Sequence, residues 1–171
     1  DYAKSLDPHC FVGMSDCSSF KNEGYDKLKG DYFSENRYNG WYYSKMDEFS
    51  GAMKAIHQQM GVVNVSEYGL GINPFCHSLE PEKTTKKGTG GSRHDEEYGN
   101  IFHESYVRQI MKMPFLNFTS LWVMFDFPVA SRLEGYADTA DGLHFTESEE
   151  RKYMNDKGLV TRDRKTRKDV F

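Results

Sequence analysis

Two hydrophobic periods alternate along the chain. Phe49, Ala52, Met53, Ile56 and Met60 fall at i, i+3, i+4, i+7 and i+11, one face of a 3.6-residue repeat, and Asp47 and Glu48 complement the dipole at its start. A second helix is predicted behind Asp95, Glu96 and Glu97. Tyr98, Ile101, Phe102, Tyr106 and Ile110 lie near one of its faces, and Pro114 marks its end. Between and around these helices run short apolar or β-branched stretches at 10–14, 31–36, 62–65 and 118–125. Tyr2-Ala3-Lys4-Ser5-Leu6 reads as a helix end closed by Asp7-Pro8. Residues 82–91 (EKTTKKGTGG) are polar, Gly-rich and aperiodic, which predicts a mobile loop.

Buried-type strands that alternate with helices argue for parallel βα units, because parallel strands need crossovers and are covered on both faces. The fold class is therefore α/β. The 171 residues suffice for one domain with a real core, and 37% hydrophobic with 15% aromatic content fills it. No apolar run approaches the length that spans a bilayer, so no membrane partner is expected. With 22 Lys and Arg against 26 Asp and Glu, the net charge is −4, the wrong sign for a phosphate-binding surface, and no nucleic-acid partner is expected.

No Gly-rich phosphate motif follows any strand, and no cofactor is expected. Cys10, Cys17 and Cys76 fit neither a metal knuckle nor a disulfide framework and read as free thiols. Cys76-His77 lacks a second ligand pair, so no metal is expected. No leader-like signal opens the chain, and its compartment stays open. The Asn-x-Ser/Thr triplets at Asn64 and Asn117 fall in or beside buried strands, which argues against glycosylation.

In parallel α/β barrels the chemistry stands at the carboxyl ends of the strands. Those ends carry Asn36-Arg37-Tyr38, then Ser66-Glu67-Tyr68-Gly69, then Trp122 and Phe125-Asp126-Phe127. A carboxylate, a phenol, an indole and amides on one rim suit a sugar: carboxylates for glycosyl chemistry, aromatic faces for the pyranose, amides for hydroxyls. Each residue also has a plainer reading. A Glu at a strand end, as at Glu67, is more often a solvated surface charge, a Trp within a strand, as at Trp122, is ordinarily a core residue, and the aromatic run 38–43 reads equally as packing between helix and loop.

At these residues the chain resembles the later part of the catalytic domain of family 2 glycoside hydrolases, the β-galactosidase and β-glucuronidase family. The matching stretches are 36–42 (NRYNGWY), 66–69 (SEYG), 121–127 (LWVMFDF), Arg132-Leu133-Glu134-Gly135 and 155–164 (NDKGLVTRDR), in the family's order over nearly the whole chain. In that family the domain is a (β/α)8 barrel. The resemblance implies that residues 1–171 are a partial TIM-barrel domain, its C-terminal half with strands five to eight. It implies that Glu67 is the nucleophile of a retaining mechanism, with Tyr38 hydrogen-bonding its carboxylate. Trp122, Asn36, Asn155 and Lys157 would bind the sugar, a β-galactoside or alternatively a β-glucuronide.

Asn-x-Lys at 155–157 is where β-glucuronidases of the family grip the sugar carboxylate, yet the fuller string NDKGLV with the 132–135 element looks more like β-galactosidases, and galactoside is favoured. Lys157 also reads as an exposed loop charge. The family's acid/base Glu follows an Asn on a strand upstream of Asp1, and Asn22-Glu23 falls in a loop instead. The chain alone is therefore expected to be inactive, and its open barrel edges to promote self-association. The rival is a non-catalytic carbohydrate-binding remnant. Should the chain be active alone, Glu35 or Asp126 would have to supply the acid.

Overall fold

The computed structural model describes residues 2–17, 30–81, 95–129 and 154–171. Four parallel strands form one sheet in chain order: β1 (Gly13–Asp16), β2 (Tyr32–Asn36), β3 (Val63–Tyr68) and β4 (Thr119–Leu121). A short helix, α1 (Tyr2–Leu6), precedes β1. The crossover from β2 to β3 is α2 (Phe49–Met60), and that from β3 to β4 contains α3 (Glu96–Ile110). A two-residue pairing, β5 (Phe127–Pro128) with β6 (Met154–Asn155), is antiparallel. The predicted loop 82–91, the 132–135 element and Asn22-Glu23 lie outside the described residues. No helix among those described is long and apolar enough to cross a membrane.

Both long helices form where their periodicity places them. Phe49, Met53 and Ile56 are the buried stripe of α2, and Gly61 ends it with φ 75°, its N–H donating to the His57 carbonyl. Asp95 caps α3 by accepting the Tyr98 N–H at 2.7 Å, with Glu96 and Glu97 in the first turn. The two helices lock together through Gln109, whose side chain accepts the Ser50 N–H and donates to the Met46 carbonyl.

The core between sheet and helices is aromatic. Tyr106 stands at its centre, stacked on Phe49 and Phe102 with ring centroids 4.3 Å away in each case, and on Tyr68 at 5.3 Å. Val63 and Val65 complete it from β3. Ile56, 2% exposed, is packed into this cluster. Ile56→Val should cost about 0.5–1.5 kcal/mol, read as faster amide exchange along α2, and an unchanged exchange pattern would contradict the packing described.

Three strand expectations shift. β1 begins at Gly13 rather than residue 10, and Phe11 is left 82% exposed. β3 continues past Val65 through Glu67 to Tyr68, so Glu67 belongs to the strand itself. The run 118–125 is not one buried strand. Only Thr119–Leu121 joins the sheet, with Phe118 and Met124 exposed, because past Trp122 the backbone turns to a different partner. Val123 donates to the Lys157 carbonyl, Leu159 to Val123, Val160 to Met124 and Asp126 to Val160. β1 and β4 are also only half buried, unlike the covered strands expected. The three cysteines are free, as expected. Asn64 is buried in β3, where its side-chain oxygen accepts the N–H groups of Asn117 and Phe118, while Asn117 itself is exposed.

Candidate active site

Because all four strands run the same way, the ends of β2, β3 and β4 open on one edge of the sheet. A bulge then decides which side chains meet there. Glu35 pairs with Val65 and Asn36 pairs with Glu67, so Ser66 is the extra residue on β3. The insertion turns Glu67 to the face that carries Asn36, away from the helix-facing Val63 and Val65. Ser66 consolidates the bulge, its hydroxyl donating to Asn36 Oδ1 at 2.6 Å.

Tyr38, two residues beyond Asn36, shares that face. Its hydroxyl donates to Glu67 Oε2 at 2.7 Å. Burial, reinforced by the adjacent Glu67 carboxylate, pushes the Tyr38 phenol above its ordinary range, so it stays a donor. Glu67 itself is half-buried, reachable and oriented. Tyr38→Phe should lower turnover of the full-length protein by about tenfold to a hundredfold without unfolding it, since one hydrogen bond to a charged group is lost. Unchanged steady-state kinetics would show that the phenol does not orient the carboxylate.

Gly69 follows the bulged strand at φ 152°, and a Cβ there would run into the Trp122 carbonyl oxygen. The glycine lets the β4 end approach, and Trp122 N–H donates to the Tyr68 carbonyl at 2.8 Å. The indole of Trp122 is 36% exposed and meets Phe127 edge to face, so it stands at the rim and not in the core.

The aromatic loop after β2 forms a cage for Lys157. The ammonium donates to the Tyr42 hydroxyl at 2.5 Å and lies 4.8 Å from the Tyr42 ring and 5.8 Å from the rings of Tyr38 and Trp41. Lys157 is 6% exposed, not an exposed loop charge. Asn155 accepts the Lys157 N–H through its side-chain oxygen at 3.1 Å, shaping the turn that presents the lysine. The loop is held from beneath by α3, whose Tyr106 and Tyr98 hydroxyls donate to the Asn39 and Gly40 carbonyls.

The structure therefore brings Glu67, Tyr38, Asn36 and Lys157 together, with Trp122 at the β4 end and Asn155 in the supporting turn. Tyr42 and Trp41 were not singled out from the sequence, where an aromatic run reads equally as packing. Among these side chains, Glu67 can act as a nucleophile or base, Tyr38 as its hydrogen-bonding partner, and Lys157 as a partner for an anionic substituent. No group of three or more His, Cys, Asp or Glu that could hold a metal ion is found among the described residues.

Glu35 and Asp126 are not placed as acids beside Glu67. Glu35 shares the face of Phe33 on β2, is fully buried, and pairs with Arg37 at 3.1 Å. Burial raises its carboxyl to about 7 from 4.5, against the pull of Arg37 and with a contribution from Asp16. The unfolded chain thus releases this proton at lower pH than the folded one. The stability it contributes is whole below about 4.5 and is lost as pH rises through about 7. Glu35→Gln should flatten the fall in unfolding midpoint between pH 5 and pH 8. An equal fall in the variant would exclude Glu35 as its source. Asp126 accepts from Lys168 Nζ and from the Gly158 N–H, both at 2.8 Å.

Comparison with known proteins relates this parallel sheet, with its hydrogen-bonded carboxylate and caged lysine at the strand ends, to glycosidases. A curated relative, a β-glucuronidase of Bacteroides fragilis, is 34% identical over 138 residues, 80% of this chain and 17% of the relative. An FMN-binding β-glucuronidase of Faecalibacterium prausnitzii superposes with a TM-score of 0.75 at 31% identity, covering 98% of this chain and 23% of that one. A putative β-galactosidase of Bacteroides fragilis superposes at 0.74 and 23% identity, over 98% of this chain and 23% of that chain, which speaks for the fold alone. No family model matches the chain. The chain is thus similar to part of glycosidases, β-glucuronidases among them, and its fold matches a fragment of a glycosidase barrel. It spans 17% of the length of the curated relative.

Proposed function

We propose that residues 1–171 are part of a family 2 catalytic TIM barrel, contributing its strands five to eight, and that the full-length protein hydrolyses terminal β-glycosides with retention. The 2.7 Å hydrogen bond from Tyr38 to Glu67 across the ends of β2 and β3 carries this reading. Glu67 attacks the anomeric carbon as the bond to the aglycone oxygen breaks. A second carboxylic acid about 5–5.5 Å from the nucleophile protonates that oxygen, then as carboxylate activates the water that hydrolyses the glycosyl-enzyme. On this reading Trp122 offers the sugar an aromatic face, and Asn36 and Asn155 would bind its hydroxyls.

For the sugar we favour a β-D-glucuronide, reversing the order suggested by the sequence strings. A lysine caged by three rings beside Tyr38 supplies a fixed cation where a hexuronate carboxylate needs one. The NDKGLV string supports a β-galactoside as the second reading. Aryl glucuronide and aryl galactoside assayed on the full-length protein separate them. Faster glucuronide cleavage is expected, and faster galactoside cleavage rejects this choice.

Glu35 and Asp126 are otherwise engaged, and the resemblance to family 2 puts the acid on a strand upstream of this chain, so the isolated 171 residues should be slower by about 10²- to 10⁴-fold. The parallel edges at β1 and β4 should also drive the isolated chain to self-associate. Light scattering with an aryl-glycoside assay tests both. A monomer with full turnover would reject them. A full-length protein that binds sugar without hydrolysis would be the carbohydrate-binding remnant instead.

A further inference from the structure

A buried ion pair stands behind the Lys157 loop. The Lys168 side chain is fully buried, with Nζ 2.8 Å from Asp126 Oδ1 and 2.6 Å from the Asp156 carbonyl oxygen. The same Asp126 oxygen accepts the Gly158 N–H at 2.8 Å. One partner of the pair thus holds the peptide before Lys157, and the other the peptide after it. The backbone of Lys168 adds a third tie, its N–H donating to the Leu159 carbonyl at 2.9 Å. Gly158 is required by this approach, because a Cβ there would collide with the Asp126 backbone nitrogen and carboxylate.

Such a pair gives little net stability, since desolvating both charges offsets most of their attraction, but it demands a single geometry. The geometry is imposed on the residue between the two anchored peptides. Lys157 has a long flexible side chain, and its direction into the aromatic loop depends on where its Cα is held.

We propose that Asp126 and Lys168 are positioning residues that hold the Lys157 ammonium in register with Tyr42, and thereby set the site's preference for an acidic sugar over a neutral one. This rests on the reading of Lys157 as the partner of the sugar carboxylate. A pair that merely staples the C-terminal turn to the sheet would affect stability and leave sugar preference alone.

The test compares the full-length wild type with Lys168→Arg, Lys168→Met and the double variant Asp126→Asn/Lys168→Met, which leaves no isolated buried charge and so protects folding. Amide exchange at Gly158 and Leu159 should accelerate by about 30-fold or more in the Met variants while α2 is unchanged. KM for an aryl glucuronide should rise about tenfold or more with kcat nearly unchanged, and KM for an aryl galactoside should stay within about twofold. Lys168→Arg should recover part of the difference. A folded double variant with wild-type exchange at Gly158 and Leu159 overturns the proposal, as does faster exchange with an unchanged KM for glucuronide. A wild type that cleaves no glucuronide rejects the reading of Lys157 and the selectivity role with it. The exchange rates then still decide whether the pair holds the loop.

Discussion

Glu67→Gln in the full-length protein should reduce turnover of an activated aryl glycoside by about 10³-fold or more, the largest effect expected of any substitution in the chain. The amide is nearly isosteric, can still accept from Tyr38, and leaves the bulge at Ser66 intact. What it loses is the carboxylate oxygen that, on the proposed mechanism, would form the covalent bond to the anomeric carbon. Glu67 is half-buried and its hydrogen bond is to a neighbouring strand end, so the fold should tolerate the change. Kinetics paired with a thermal melt would check this. Turnover kept within tenfold in a folded variant would exclude Glu67 as nucleophile.

Lys157→Met should cut kcat/KM for an aryl glucuronide by about 10²- to 10³-fold while an aryl galactoside changes by less than about fivefold. Methionine preserves much of the apolar stem that packs against Tyr42, Tyr38 and Trp41, so the loss isolates the charge. The sugar carboxylate would then enter a site with no cation to replace its water. A neutral galactoside brings no charge to that position and has little to lose. Equal losses on both substrates would mean that Lys157 supports the loop and does not read the sugar.

The helices were legible in the sequence because their signal is local. The apolar stripe of α2 and the acidic cap of α3 each lie within one or two turns, and nothing distant needed to be known. The parallel order β1 to β4 followed from alternation of strand and helix, and the candidate residues followed from strand ends. The run 118–125 misled, because eight apolar or small residues look the same whether the backbone pairs with one neighbour or two. Ser66 carried no mark of a bulge, although a strict two-residue period through Val63, Val65 and Glu67 would have put Glu67 on the helix face. Lys168 was invisible within the basic string 162–168, since composition cannot tell a solvated lysine from a buried one.

What the sequence by itself determined is thus the α/β class, the two helices and the residue types that gather at the strand ends. The tertiary structure alone decided that a bulge at Ser66 turns Glu67 toward Asn36, that Tyr42 and Lys157, 115 positions apart, share a hydrogen bond, and that Asp126 and Lys168 bracket the lysine loop. Propensity and periodicity act over a few residues, whereas these contacts depend on register between strands and on which distant backbone satisfies each peptide group, which no local pattern encodes.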